Sequence, residues 1–368
     1  MNKKTHFVII AGESSGDIHG AQIMKNLRYQ NPNISFSGLG GPKMAKEGFS
    51  SLVPINRLAI MGFWEVLKNI CFFFRLERLV LDHITKKNPE KIILIDYPGF
   101  NLRIAQKIKK HVNIKILYYV SPQLWAWKEN RVKTIQTYVD SLIVLFPFEV
   151  EWYKKRSVRV EYFGHPLVET NLVSTRPLLT KKKSYTIALC PGSRQQEIKQ
   201  HLPILIDVVQ KTQEKKLNLR FELFCAPNIQ SSFIQQFIKH DNITINRNPI
   251  LTSFVNIDFA IVASGTASLE CAITQTPMVV IYKMSFLSWW LTKRFVKTPF
   301  ASIVNVLANK PIIIELLQKD LTAPRLFHTM MDCLQNPQKM QKKQDRVLKT
   351  IKPLAVQNVY QNTSSYIA

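Results

Sequence analysis

The chain has 368 residues, with 50 Lys+Arg against 25 Asp+Glu and a formal net charge of +25. At 46% hydrophobic and 20% charged residues it reads as globular, not as a disordered chain or a collagen-like repeat. It is long enough for two domains, each with its own core. No run of apolar residues is long enough to span a bilayer. The start, MNKKTHFVIIAG, is too short in its apolar part for a signal peptide. The cysteines Cys71, Cys190, Cys225, Cys271 and Cys333 stand in no metal-ligand spacing, so reduced thiols in a cytoplasmic protein are expected. The basic excess is spread along the chain. It suits nucleic acid, anionic lipid or phosphorylated substrates, or is simply a solvated surface.

Short β-rich apolar runs alternate with amphipathic stretches, the pattern of an α/β protein with parallel sheets. The first expected strand, His6–Ala11, runs into Gly12-Glu13-Ser14-Ser15-Gly16-Asp17 and a helix over Ile18–Arg28. Glu13 and Asp17 suit recognition of a polyol; alternatively Asp17 is an ordinary helix N-cap. A second strand covers Ile34–Ser37. The segment Met61–Val80 sets Trp64, Phe72, Phe73 and Phe74 among Lys68, Arg75 and Arg78. It is either a basic amphipathic helix lying on a membrane surface or a helix with an ordinary core face. Residues 286–300 repeat the mixture.

The strand Ile92–Asp96 ends in a carboxylate, and Pro98-Gly99 then forces a turn. Asp96 is placed at a sheet's carboxyl edge, where it can act as a general base; a helix cap is the alternative. A helix over Leu102–His111 and a strand over Ile114–Val120 lead to Ser121-Pro122-Gln123-Leu124-Trp125-Ala126-Trp127. Its tryptophans are either sugar-stacking or core residues. A helix over Glu129–Tyr138 and a strand over Leu142–Phe146 follow. His165 closes this half as a ligand contact or a structural histidine.

Residues 166–184 lose periodicity and form the expected linker. A second strand series comprises Tyr185–Leu189, Arg220–Cys225, Ile243–Ile245, Phe259–Ala263 and Met278–Tyr282. After its first strand, Pro191-Gly192-Ser193-Arg194 opens a helix. Gly192 and Ser193 let backbone N–H groups approach a diphosphate, and Arg194 can clamp it. Ser264-Gly265-Thr266 repeats the device, with Glu270 one turn further on, within reach of ribose hydroxyls. Residues 323–366 are mostly helical by pattern. There is no D-x-D triplet, so neither a metal nor another cofactor is expected.

These pieces, in this order and spacing, resemble the lipid-A-disaccharide synthase family. The resemblance runs from about residue 7 to the C-terminal helices. It is carried by VIIAGESSGDIHG, GLGGPKM, LAIMGFWEVL, LIDYPGFN, YVSPQLWAW, GHPLVE, ALCPGSRQQEI and ASGTASLECAITQTPMVV, with departures at Tyr97, Gly99 and Cys190. It implies an inverting glycosyltransferase of the GT-B fold, with two Rossmann-like domains across a cleft. The domains expected are 1–170 (acceptor and membrane side), 171–340 (UDP-sugar side) and helices 341–368 returning to the first. The implied reaction moves 2,3-diacylglucosamine from UDP-2,3-diacylglucosamine to 2,3-diacylglucosamine 1-phosphate in lipid A biosynthesis. It yields the β-1,6-linked disaccharide 1-phosphate and UDP.

By the same resemblance Asp96 is the base. Glu13, Ser15 and Asp17 lie on the acceptor side. Gly192, Ser193, Arg194, Ser264, Gly265, Thr266, Glu270 and Asn305 belong to the UDP side. Trp64, Phe72, Phe73 and Phe74 meet acyl chains or membrane. A peripheral position on the cytoplasmic face of the inner membrane is implied, with anionic lipid and a second copy of the chain as partners and no nucleic acid. Two alternatives remain at this level: a lipid-independent UDP-sugar epimerase, and a nucleic-acid-binding protein suggested by charge alone.

Overall fold

The computed structural model describes residues 5–58, 69–171, 176, 182–238, 242–285, 289, 294 and 296–368. The chain divides into two compact units, each built on one sheet. The first ends at Pro166 and takes back Val356–Ala368; the second is Leu167–Ala355.

In the first unit β1 (His6–Ala11) leads into α1 (Ser14–Gln30), β2 (Ser35–Leu39), α2 (Pro42–Lys46) and β3 (Ser50–Ser51). After it come α3 (Ile70–Lys87), β4 (Lys91–Ile95), α4 (Pro98–His111), β5 (Lys115–Tyr119) and α5 (Val132–Tyr138). Then follow β6 (Ser141–Val144), α6 (Pro147–Lys154) and β7 (Val160–Tyr162), and α7 (Pro166–Asn171) opens the second unit. The strand order is β3-β2-β1-β4-β5-β6-β7, with all pairs parallel. Phe7–Ala11 and Ile92–Ile95 are wholly buried. Side chains on the two faces of the sheet enter separate clusters, Val8 and Ile10 on one, Phe7 and Ile9 on the other. A parallel strand covered on both faces reads as such an unbroken apolar run, and each fully buried Ile or Phe contributes roughly 1.5–3 kcal/mol.

The second unit contains β8 (Tyr185–Cys190), α8 (Gln195–Glu214), β9 (Leu219–Phe224), α9 (Ser231–Gln235), β10 (Ile243–Asn246) and α10 (Ile250–Ser253). It continues through β11 (Phe259–Ala263), α11 (Thr266–Ile273), β12 (Met278–Tyr282), α12 (Ile303–Ala308) and β13 (Ile314–Leu317) to α13 (Ala323–Gln335) and α14 (Pro337–Ile351). Its sheet is β10-β9-β8-β11-β12-β13, again parallel.

Two expectations change. The boundary placed at residue 340 falls inside α14, which stays with the second unit. Met340, Val347 and Ile351 on one face of that helix are buried, and it packs on α11 and α12. Only the last helix, α15 (Val359–Ile367), rejoins the first unit, where it lies on α1. There Tyr360 Oη is 2.8 Å from His19 Nδ1, and Lys91 Nζ donates to the Ile367 carbonyl at 2.7 Å. The aromatic run of α3 also divides. Phe73 is buried with Leu76, Glu77, Val80 and Ile84, and Phe72 packs against that core. Only Phe74 projects, 51% exposed, with Arg103 and Lys107 over its ring. A helix turns one stripe inward, so three consecutive Phe cannot share a surface. Trp64 and most of 286–300 lie outside the described residues. Among the described residues no helix is long and apolar enough to cross a membrane.

Candidate active site

In the first sheet the chain proceeds outward in one direction from β1 and in the other from β4, so these neighbours form the topological switch point where open α/β sheets bind ligands. Glu13 and Asp96 follow the carboxyl ends of those two strands. Asp96 and Tyr97 both adopt left-handed backbone, φ 47° and 49°, which non-glycine residues adopt only where the surroundings hold them. The Asp96 N–H donates to the Tyr119 carbonyl at 3.0 Å. The Asp96 carbonyl accepts from Asn101 Nδ2 at 2.7 Å and from the Tyr118 hydroxyl at 2.6 Å. All three bonds use Asp96's backbone, and the residue is half-buried. Burial, then the Asp96 charge, lifts the Tyr118 phenol well above its ordinary range, so it remains a donor. The Tyr97 ring lies against Gly12, where a Cβ would come within 2.4 Å, and its hydroxyl donates to the Leu58 carbonyl at 3.0 Å.

The expected turn at 12–17 is the first turn of α1, with Glu13 at the N-cap position. Gly16 lies inside the helix, at a point where a Cβ would press to 3.1 Å of Ala11 Cβ. Glu13 is half-buried and Ser15 exposed. Asp17 is neither a cap of its own helix nor an acceptor-side group. It is 3% exposed, and its carboxylate accepts the N–H groups of Gly41, Lys43 and Met44 at 2.9, 3.0 and 2.9 Å. It therefore caps α2, which carries no acidic residue in its first turn. His165 is also structural: 7% exposed, tilted against the Phe146 ring and held down to about 3, first by burial and then by His19.

The second sheet reverses between β8 and β11, and both candidate turns follow these strands. Gly192 has φ +119°, and a Cβ there would meet Glu197 Oε2 at 2.5 Å. That carboxylate reaches back to the Ser193 N–H at 3.2 Å and pairs with Arg194 Nη1 at 3.0 Å. The Arg194 side chain is 52% exposed. With its guanidinium half exposed, Arg194 can exchange this partner for a phosphate. At α11 the helix start is open: nothing lies within 4 Å of a Cβ on Gly265, φ +149°, and Gly265 and Thr266 are exposed. Such N–H groups accept an anion. Burial pushes the Glu270 carboxyl up to about 7, and its charge acts on Cys190 at the end of β8. Glu270 thus lies within electrostatic reach of both turns.

Two residues assigned to the UDP side are committed elsewhere. The Ser264 hydroxyl donates to the Ala301 carbonyl at 2.7 Å. Asn305 is fully buried. Its amide donates to the Ile313 carbonyl and Glu315 Oε1, at 2.9 and 2.7 Å, and accepts the Ile313 N–H at 2.8 Å. Glu315 in turn accepts the N–H groups of Ala301 and Ser302 at 2.9 and 2.8 Å, so the start of α12 already holds a carboxylate. Both residues shape the loop beside α11; buried Asn305 has no polar atom left for a ligand, whereas the partly exposed Ser264 hydroxyl can still accept a bond.

Sequence reasoning missed His201 and Glu149. His201, wholly buried, donates from Nδ1 to the Pro191 carbonyl at 2.6 Å and accepts the Lys283 N–H on Nε2 at 2.8 Å. It ties the turn after β8 to the end of β12. Glu149 gathers four donors around the loop after β5, and burial pushes it up to about 7 against those bonds. Its one signal in the sequence is a Glu three residues after Phe146, just past a Pro.

Comparison with known proteins follows the same lines. A lipid-A-disaccharide synthetase family model matches residues 7–368. The chain is 36% identical over 346 residues to lipid-A-disaccharide synthase 1 of Legionella pneumophila (strain Lens), covering 92% of this chain and 90% of the relative. It is 36% identical to lipid-A-disaccharide synthase of Coxiella burnetii (strain Dugway 5J108-111), with 89% of each covered. Similar solved structures include Acinetobacter baumannii MurG, TM-score 0.54 at 12% identity with 99% of each chain covered. Another is the spinosyn rhamnosyltransferase SpnG complexed with thymidine diphosphate, TM-score 0.60 at 9% identity, covering 99% of this chain and all of that one. The two parallel-sheet units are the Rossmann-like halves of a GT-B glycosyltransferase. The chain belongs to the lipid-A-disaccharide synthase family and is a glycosyltransferase.

Proposed function

We propose that this chain transfers 2,3-diacylglucosamine from UDP to the 6-hydroxyl of 2,3-diacylglucosamine 1-phosphate, with Asp96 as base and the second unit holding UDP. Asp96 takes the hydroxyl proton and the acceptor oxygen bonds to the anomeric carbon. The bond from that carbon to the diphosphate oxygen breaks, its electron pair leaves with UDP, and the anomeric centre inverts. Arg194 and the open start of α11 stabilise the charge on the departing diphosphate, an electrostatic contribution of several kcal/mol in comparable sites. The ionised Glu270 accepts ribose hydroxyls. The observation that carries this assignment is the placement of Asp96, and of both UDP-side turns, at the strands flanking the two switch points.

The lipid substrates give α3 a purpose. Ile70, Phe74 and Leu79 are exposed among Arg75, Arg78, Arg103 and Lys107, a mixture suited to an anionic bilayer surface. The chain works there peripherally, on the cytoplasmic face of the inner membrane. In a swapped homodimer, Val356–Ala368, which rejoins the first unit, is the segment available for exchange.

Titration calorimetry with UDP tests the donor half. Arg194→Ala removes charge-assisted bonds worth about 1.5–3 kcal/mol, so the expected loss is roughly 10–100-fold in UDP affinity. Unchanged affinity contradicts the placement. Glu270 adds a pH test. Ribose hydroxyls bind its ionised form better, so affinity rises as pH passes upward through about 7. Glu270→Gln should lose that rise and keep only the diphosphate's own titration; equal pH dependence in both proteins removes Glu270 from the site. The sign for stability is opposite. The folded chain keeps a proton that the unfolded chain releases between 4.5 and about 7. Stability therefore falls as pH rises through that interval, and Glu270→Gln should raise the melting temperature at pH 8 but not at pH 4.

A further inference from the structure

Glu149 is 2% exposed, and its carboxylate accepts four hydrogen bonds. On Oε2 it takes the N–H groups of Leu145 and Phe146, at 3.2 and 3.1 Å. This is the return half of a capping box at the start of α6 and needs nothing further. On Oε1 it takes the Ser121 hydroxyl at 2.6 Å and the Trp125 indole N–H at 3.2 Å. Capping does not require that second pair. It reaches 28 and 24 residues back in sequence, to the loop that leaves β5. The same helix and its approach hold this loop twice more. The Tyr153 hydroxyl donates to the Pro122 carbonyl at 3.1 Å, and the Trp125 ring stands edge-on to Phe148 with centroids 5.0 Å apart.

The loop needs holding because its first residue is strained. Val120 has φ 64°, and a β-branched residue in the left-handed region costs about 1–3 kcal/mol. Strain of that size persists only where contacts over-determine it. Immediately before Val120 stand Tyr118 and Tyr119, the two residues to which Asp96 is tied through its backbone carbonyl and N–H. We propose that Glu149 is a positioning residue for the transfer reaction: by gripping Ser121 and Trp125 it keeps Val120 in its left-handed turn and so fixes the end of β5 against which Asp96 is aligned.

This inference rests on Asp96 as the base, and the experiment separates the two. Turnover, UDP affinity and melting temperature are measured for Glu149→Gln, Ser121→Ala, Trp125→Phe and Asp96→Asn, and for Glu149→Gln combined with Asp96→Asn. The glutamine amide offers an acceptor to only one of the two donor pairs, whichever way it turns. Ser121→Ala and Trp125→Phe remove loop contacts alone and leave the cap intact.

Misplacement of a reacting group by about 1 Å can cost roughly 10²-fold. The expected result is a fall of about 10–100-fold in kcat for Glu149→Gln, with smaller falls in the same direction for Ser121→Ala and Trp125→Phe. UDP affinity should hold in all three. In the Asp96→Asn background Glu149→Gln should cost nothing more in turnover, because alignment has no value without the base. A purely structural Glu149 gives a different pattern. Either Ser121→Ala and Trp125→Phe keep wild-type kcat, or the Glu149→Gln loss is undiminished in the Asp96→Asn background; each overturns the proposal. If instead Asp96→Asn alone turns over normally, the base assignment fails first and takes this inference with it.

Discussion

Asp96→Asn is expected to lower kcat by about 10²–10⁴-fold, the usual worth of a general base, with little change in UDP affinity. Asparagine is the informative replacement. It keeps the shape of the side chain and tolerates left-handed backbone, whereas alanine adds strain at φ 47°. Three hydrogen bonds that hold the turn run to the Asp96 backbone, and these survive the substitution. A drop in kcat with intact UDP binding therefore reports the lost carboxylate. The competing explanation, that Asp96 merely serves as a helix cap, predicts near-normal turnover with a modest loss of stability. Single-turnover kinetics on a variant saturated with donor separates the two.

The second large effect is on folding. Asp17→Ala removes the acceptor for three N–H groups at once, and those of Gly41 and Met44 are buried. Buried donors left unpaired cost about 1–3 kcal/mol each. Denaturant unfolding should show a loss of roughly 2–6 kcal/mol on that arithmetic. Repacking cannot easily hide it, because Gly41 sits so close that a Cβ would come within 2.5 Å of Asp17 Oδ2. UDP affinity measured on the folded fraction should be unaffected, since Arg194, Glu270 and the start of α11 belong to the other unit. A variant as stable as the parent, but defective in acceptor use, would return Asp17 to the substrate side.

The contrast between these two aspartates shows what was legible in the sequence. The place of Asp96 just after β4 was legible because an apolar run, a terminal acid and Pro-Gly mark a strand edge in any parallel sheet. Asp17 sits in an equally suggestive motif, yet its partners lie 24 to 27 residues further on, and residue type does not say whose donors a carboxylate satisfies. Asn305 came from the resemblance alone, which does not show that its amide is bonded to Ile313 and Glu315. The buried strands β1, β4, β5, β8, β11 and β12 were plain because both faces are covered and their residues beyond the first one or two are apolar. Ser50–Ser51 and Val160–Tyr162 escaped notice: one is two polar residues long, the other only partly buried. β13 (Ile314–Leu317) is short and interrupted by Glu315, which accepts the N–H groups at the start of α12. His201 and Glu149 gave almost no signal, since each joins segments that only the folded sheet brings together.

The runner-up enzyme suggested by the sequence, a lipid-independent UDP-sugar epimerase, differs from the family's activity in needing no acceptor. The most direct measurement follows product formation from UDP-2,3-diacylglucosamine with and without 2,3-diacylglucosamine 1-phosphate, the linkage being read by nuclear magnetic resonance. The expected result is UDP release that depends on the acceptor and a β-configured disaccharide 1-phosphate, in the parent protein but not in Asp96→Asn. Release of UDP at an equal rate without acceptor, or an α-linked product, would contradict direct displacement by an oxygen that Asp96 has deprotonated.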